Sequence, residues 1–345
     1  MRTSLAEWPG RYRLPIMLGA LLLLLGLPLA MGSEYLLRVA TMMAIYVVLA
    51  SSLNLIIGFT GMYSLGHGAF YGIGAYVSAI LATGLGWSFW LTMPLAGLGT
   101  ALVGAFLGLA TLRLRQTFLV FGTLAFGEIV RIVIMNWPSL TRGPMGIPGI
   151  PNPTVMGMEL GSPRQWYYLI VMFAVLMVFL IQRLYHSRVG RAWVAIREDE
   201  VAAASMGVSV FGYKVLAFTI ACLVAGLAGA FYAHFVSFIS ADQFGMGESF
   251  LILTMVALGG TGSIIGPILG AAILMLVPEV FRFLAEFRGV LYGAILIVVI
   301  VLKPEGLAGA KGLFTPAGGG ARFSWRRRGA PSLAGGQGAA PGGGR

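Results

Sequence analysis

The stretch Leu18-Gly-Ala-Leu-Leu-Leu-Leu-Leu-Gly-Leu-Pro-Leu29 carries no charge, and Ile295-Leu-Ile-Val-Val-Ile-Val-Leu302 repeats its character near the other end of the chain. Between them the apolar residues fall into blocks of about 20, the length at which a helix crosses a hydrocarbon core of about 30 Å. Spans of a β-barrel would alternate polar and apolar residues, and these blocks do not. The whole composition agrees: 58% of the 345 residues are hydrophobic, 10% are charged and the mean hydropathy is +0.88. A water-soluble domain needs far more charge to cover its surface. The expected fold class is an all-α integral membrane protein of about ten transmembrane helices. The expected spans are 14–31, 36–57, 67–84, 91–112, 117–137, 166–182, 215–236, 249–265, 267–281 and 289–302.

The net charge of +11 is spread in a way that excludes nucleic acid as a partner. Basic residues flank the spans and form no stripe with interleaved aromatics. Arg2, Arg11 and Arg13 ahead of an apolar run resemble a signal peptide, but further spans follow, so a retained first span is expected. With the N-terminus placed inside, 17 of the 23 Lys and Arg fall on cytoplasmic segments, which orients the chain by the positive-inside rule. Both termini are then cytoplasmic: a segment 1–13, a transmembrane domain 14–302, and a tail 303–345. From about Thr315 that tail is mostly Gly, Ala, Pro and Arg, a composition expected to be disordered. Its Arg326-Arg327-Arg328 run reads as a solvated tail, with contact to anionic membrane lipid as the alternative. The external loop 138–165 holds six prolines and reads as extended or turn-rich.

One cytoplasmic loop, 185–214, is soluble and patterned. Glu198, Asp199 and Glu200 crowd the expected first turn of a short helix, where the helix dipole favours acid. Ala202 and Ala203 propagate it, and Gly207 is placed to stop it. Such a helix either lies in a groove on another protein or rests on the bilayer surface. The loop resembles the EAA loop of ABC-importer permeases, whose coupling helix docks on a separate ATPase. Ala202, Ala203 and Gly207 fit the Glu-Ala-Ala-x-x-x-Gly spacing, while Val201 stands in the Glu slot and Glu200 comes one position early. Arg197 and Glu198 belong to the same stretch.

The resemblance extends further. Asn54-Leu-Ile-Ile-Gly-Phe-Thr-Gly-Met-Tyr-Ser-Leu-Gly-His67, Thr123-Leu-Ala-Phe-Gly-Glu128-Ile-Val-Arg131, the loop just described, Leu258-Gly-Gly-Thr-Gly-Ser-Ile-Ile-Gly-Pro and Lys303-Pro-Glu-Gly-Leu307 occur in an order similar to LivM-type permease subunits of branched-chain amino acid ABC transporters. That resemblance implies a multi-pass protein of the bacterial inner membrane, working beside a homologous second permease subunit. It also implies two cytoplasmic ABC ATPases and a periplasmic binding protein that delivers a hydrophobic amino acid. Related permeases carry urea or short amides, so the substrate stays open. An ion-coupled secondary transporter would need acidic or polar residues deep in several spans, and only Glu128 and Arg131 qualify clearly. No G-x-x-x-x-G-K-S/T stands in the chain, and no catalytic or metal-binding motif, so neither a cofactor nor an enzymatic activity is expected. The single Cys222 permits no disulfide or cysteine-based metal site.

The candidate path residues are Gly61, Ser64, Gly66 and His67, the pair Glu128 and Arg131, and Gly259, Gly260, Thr261 and Gly262. Small residues at three- or four-residue spacing let membrane helices approach closely, and tight packing is the expected role for the first group. Gly66 and Gly68 beside Ser64 are also placed to break a span. Glu128 and Arg131, three apart on one helical face, are expected to pair, either between packed spans or along the path. His67 has no metal partner nearby and reads as an interface or capping residue. Gly259-Gly-Thr-Gly262 echoes Gly58-Phe-Thr-Gly61, as an internal repeat would, but four positions are too few to establish one.

Overall fold

The computed structural model describes residues 33–112, 116–155 and 158–280, with 292–295, 306–308 and a few single positions besides. The expected N-terminal segment 1–13, the tail beyond 308, and nearly all of the first span and much of the last lie outside the described residues.

Ten labelled helices run in order. Helix α1, Glu34–Asn54, passes into a π-helical turn, Leu55–Phe59. Then follow α2, His67–Leu85, α3, Phe89–Thr111, and α4, Gln116–Met135. After the long loop come α5, Pro163–Tyr185, then α6, Arg188–Glu198, and α7, Glu200–Ser205. The last three are α8, Val210–Val236, α9, Met246–Gly259, and α10, Gly266–Val280. Six of these, α1 with its π-turn, α2, α3, α4, α5 and α8, are long and apolar enough to cross a membrane. The chain is therefore an all-α membrane protein.

Helices α9 and α10, at 14 and 15 residues, rise only about 21 and 22 Å, short of a full hydrocarbon core. The span expected over 249–265 ends at Gly259, because Gly260 and Gly262 adopt positive φ (+108° and +81°) that no α-helix contains. The count of about ten spans is accordingly larger than the six found among the described residues.

Helix α8 forms the centre. Ala217, Ala221, Cys222, Ala225 and Ala228 on it are fully buried, and α1, α2 and α3 pack round it. A Cβ on Gly74 of α2 would land on the Gly226 main chain of α8, and one on Gly229 would land on the Tyr71 carbonyl. The two backbones meet there, as small residues allow in membrane bundles. Helix α1 is as deeply placed, with 78% of its most apolar window buried, whereas α4 has 17% and lies at the rim.

The prolines of the long loop support turns: a helical turn at Pro138–Thr141 and a 3-10 turn at Gly143–Met145. Strand β1, Ile147–Pro148, is followed by a small hairpin of β2, Thr154–Val155, and β3, Met158–Glu159. Strand β4, Phe238–Ile239, leaves α8 and pairs antiparallel with β1. The loop is thereby fastened to one end of the bundle, and α6 and α7 lie at the other.

The patterned loop 185–214 holds two helices where one was expected. Asp199 is the break: its backbone is extended (φ −159°, ψ 113°) and its carboxylate accepts from the amides of Val201 at 2.8 Å and Ala202 at 2.9 Å. An Asp competes with the helix ladder for nearby amides and prefers the N-cap. Of the three acids, Glu198 closes α6, Asp199 caps α7, and only Glu200 stands in its first turn. Gly207, at φ +83°, follows the end of α7 as its position suggested.

Candidate functional site

The two similar Gly-x-Thr-Gly turns, far apart in sequence, lie side by side. Asn54, at the end of α1, accepts from the Gly262 amide at 3.0 Å and donates to the Ser263 carbonyl at 2.8 Å. A Cβ on Gly58 would stand 2.5 Å from the Gly262 nitrogen, so only glycine permits this approach. Gly61 turns the chain after α1 at φ +74°, a conformation that side chains resist. Arg197, from α6, reaches into this junction. Its guanidinium donates to the Gly58 carbonyl, touches Gly262, and its stem packs against Gly61. The π-turn after α1 and helix α9 both point the negative end of a helix dipole at this junction, where a cation is favoured.

The same junction is closed from a third side. The Leu307 amide donates to the Leu258 carbonyl at 3.0 Å and the Ala308 amide to the Gly259 carbonyl at 2.8 Å, capping α9. Gly306, from the Lys303-Pro-Glu-Gly-Leu307 stretch, lies against the Gly260 backbone. Beyond Gly260, a Cβ on Gly259 would collide with Gly266 and one on Gly270 with Met255, so α9 and α10 pack backbone to backbone. Thr261 sits half-buried between the two glycines of the turn.

Helix α6 is anchored beneath this junction by Trp193, fully buried, whose indole donates to the Tyr213 carbonyl at 2.8 Å. Ser187 caps its start by accepting from the Val189 amide. Helix α7 projects outward. Glu200 is drawn back into an ion pair with Lys214 at 2.5 Å, Ala203 is buried, and Ala202 is exposed. Val201 and Met206 are 77% and 84% exposed, an apolar tip on an otherwise polar loop. Contiguous exposed apolar patches mark contacts with another protein or with a membrane.

Between α1 and α2 the chain from Gly61 to Gly66 is not helical, so the break falls ahead of Gly68, and α2 starts at His67. The break is packed within protein: the Leu65 amide donates to Thr123 of α4 at 3.1 Å, and a Cβ on Gly66 would strike the Thr123 carbonyl. The Gly68 amide donates to Ser249 of α9 at 2.9 Å. His67 is fully buried, with Nε2 2.6 Å from the Ser52 hydroxyl, an interface role rather than a side-chain cap. The Ser52 hydroxyl proton goes to the Leu49 carbonyl, so His67 Nε2 is the donor and Nδ1 is left as a buried acceptor. Among the described residues, Ser64 Oγ and His67 Nδ1 have no hydrogen-bond partner.

Glu128 and Arg131 pair as their spacing suggested, with Arg131 Nε 3.0 and 3.1 Å from the two carboxylate oxygens. A third group was not legible in the sequence: Asp242, in the 3-10 turn Ala241–Phe244, accepts from Arg131 at 3.3 Å. The pair keeps about a third of its surface open on the rim helix α4. The candidate residues thus fall at the Arg197 junction, at the break from Ser64 to His67, and at the Glu128–Arg131 pair on α4. Asn54 was missed as well, its partner lying 208 residues away. Glu248, in the first turn of α9, went unread because it adjoins an expected span edge.

Residues 35–300 match the family described as branched-chain amino acid transport system permease component, and the chain belongs to that family. It is 39% identical to the high-affinity branched-chain amino acid transport system permease protein LivM of Salmonella typhimurium, over 78% of this chain and 69% of that one. To LivM of Escherichia coli it is 38% identical over the same shares. LivH of Salmonella typhimurium, another permease protein of a branched-chain amino acid transport system, is 26% identical over 78% of this chain and 92% of its own. No solved structure matches.

Proposed function

We propose that this chain is one permease subunit of an ATP-driven ABC importer for branched-chain amino acids. The observation that carries the proposal is the Arg197 junction, where a loop with an exposed apolar tip is bonded to the ends of α1 and α9. In this reading α7 docks on a cytoplasmic ATPase through Val201, Ala202 and Met206. Nucleotide-driven movement of the loop then passes through Arg197 to the helices that border the path. Glu198 and Glu200 frame the docking face, Glu200 from its ion pair with Lys214. The chain works with a homologous second permease, since its sequence is similar to both LivM and LivH proteins. A periplasmic binding protein supplies the substrate, and ATP is hydrolysed on the partner subunits.

The distribution of Lys and Arg supports a bacterial inner-membrane orientation with α6 and α7 in the cytoplasm and the 138–165 loop outside. About ten spans follow if the first and last apolar blocks, and α9 and α10 with their neighbours, also enter the membrane. Glu128 and Arg131 neutralise one another and stand where the second subunit would cover the rim of α4.

The deciding measurement is uptake of labelled leucine, and separately of urea, into vesicles holding the complete complex. Leucine should accumulate only with ATP and only when the ATPase subunits are present. Uptake that persists without either would sink the importer reading, and urea uptake in place of leucine would change the substrate. Val201→Asp together with Met206→Asp is expected to abolish ATP-dependent uptake by placing charge on the apolar tip. The ATPase should then fail to co-purify, while the permease still reaches the membrane.

A further inference from the structure

Helix α8 is clamped at both ends, and the two clamps lie at opposite ends of the bundle. At its start the Tyr213 carbonyl accepts from the Trp193 indole of α6 at 2.8 Å, and Lys214 pairs with Glu200 of α7 at 2.5 Å. At its far end His234 is fully buried and reaches the long loop, with Nδ1 2.7 Å from the Pro151 carbonyl. A carbonyl only accepts, so Nδ1 carries the donated proton. Nε2 lies 3.0 Å from the Ser78 hydroxyl of α2, and the ring meets Phe89 of α3 edge-on at 4.9 Å between centroids. One side chain of α8 therefore ties the loop to α2 and α3 as well. The Ile150 amide adds a bond to the Ser237 carbonyl at 3.2 Å, and Ile147 and Pro148 pair with Ile239 and Phe238 across β1 and β4.

These contacts close a circuit. From β1 the chain runs through the long loop into α5, from α5 through α6 and α7 into α8, and from α8 into β4, which returns to β1. Helices α5 and α8 also touch near the end that carries the long loop, where Phe173 stacks on Phe231 at 4.1 Å and Trp166 meets Phe235 at 5.6 Å. Helix α8 holds no proline, and its 27 residues rise about 40 Å, the depth of a bilayer with its headgroups. Closely packed interiors compress little, so a displacement at one end of α8 is passed to the other. The long loop is thus bonded to one end of a helix whose other end is bonded to α6 and α7.

We propose that residues 147–239 move as one frame during transport, and that His234 is a positioning residue that keeps the external loop in step with α7. A loaded binding protein that presses on the loop displaces α8, and with it Tyr213 and Lys214, which hold α6 and α7. The ATPase on α7 thereby responds to substrate on the far side of the membrane through hydrogen bonds within this chain. Such coupling needs a contiguous chain of bonded and packed groups, and the circuit through α8 supplies one. The inference rests on the importer reading above and adds the route by which the two faces communicate.

The test uses the complete complex in proteoliposomes, with leucine-loaded binding protein on the outer side and phosphate release as the readout. His234→Phe keeps a ring against Phe89 and removes both hydrogen bonds. The rise in ATP hydrolysis caused by the binding protein should then fall several-fold, while hydrolysis without the binding protein stays at the wild-type rate. His234→Asn, whose amide again offers a donor to Pro151, should recover much of the response. A full response in His234→Phe overturns the proposal. If that variant fails to fold, a disulfide decides: Pro148→Cys with Phe238→Cys, on a Cys222→Ala background, joins two exposed cross-strand partners. A frame that moves as one keeps this clasp closed throughout, so leucine uptake should continue after oxidation. Uptake lost on oxidation and restored by a reductant overturns the proposal. A wild-type complex that moves leucine yet shows no response to the binding protein also overturns it, whereas one that moves no leucine overturns the importer reading.

Discussion

Arg197 is the residue on which the described molecule turns. It is the donor to a carbonyl at the end of α1 and lies against the turn that ends α9, so its removal leaves a buried acceptor unmet. Arg197→Ala is expected to cost about 1–3 kcal/mol of stability and to separate ATP hydrolysis from uptake, hydrolysis continuing while leucine uptake falls at least roughly tenfold. Comparing phosphate release with leucine accumulation in the same vesicles checks it, and parallel loss of both would refute the linking role. Arg131 poses a different problem, because Asp242 stands on its other side. Exchanging Glu128 and Arg131 would set a new Glu against Asp242, so retained uptake in that double variant would count strongly against direct substrate contact. Asp242→Asn should keep most uptake, since its side chain is 77% exposed and such pairs contribute at most about 1 kcal/mol. Little of this was readable beforehand. Asn54 is one amide in an apolar run, and the partners of Arg197 lie 139 residues upstream and beyond Gly260. Periodicity reports neighbours within a few turns and says nothing of such pairs.

At the level of the elements, the sequence was a better guide. Each of the six long helices follows an apolar block, with ends displaced by a few residues for local reasons. Helix α5 starts at Pro163 rather than 166 because Ser162 and Gln165 form a capping box around a proline at the first helical position. Helix α8 starts at Val210, ahead of its apolar block, because Tyr213 and Lys214 are held by Trp193 and Glu200. The repeated glycine turns were visible as an echo, but their adjacency was not, since it depends on α1 and α9 ending at the same level. The contact of α2 with α8 is the element least tolerant of added volume. Gly229→Leu would place atoms on the Tyr71 carbonyl, and a loss of at least about 1–3 kcal/mol is expected, read as a lower yield of folded permease after detergent extraction. Gly84→Leu, with open space round it, should leave the yield unchanged.

Across the whole molecule the orientation is open to a direct test. Cys222 is the single cysteine and is buried against Gly104, so Cys222→Ala provides a background without a reactive thiol. On that background Thr154→Cys should react with an impermeant maleimide in intact cells, and Ser205→Cys only after the membrane is opened. The reverse pattern would invert the cytoplasmic assignment of α6 and α7.

The clasp of residues 306–308 on the end of α9 bears on biogenesis. The junction needs Asn54 from an early stretch, Arg197 from the middle, the turn at Gly262, and lastly the amides of Leu307 and Ala308. A ribosome delivers these pieces in that order, so the contacts that tie the loop of α6 and α7 to the bundle are finished only after nearly all the membrane helices have been made. A chain halted before Gly306 would carry most of the helices and lack the cap on α9. Couplings of this kind withhold function from an incomplete translation product.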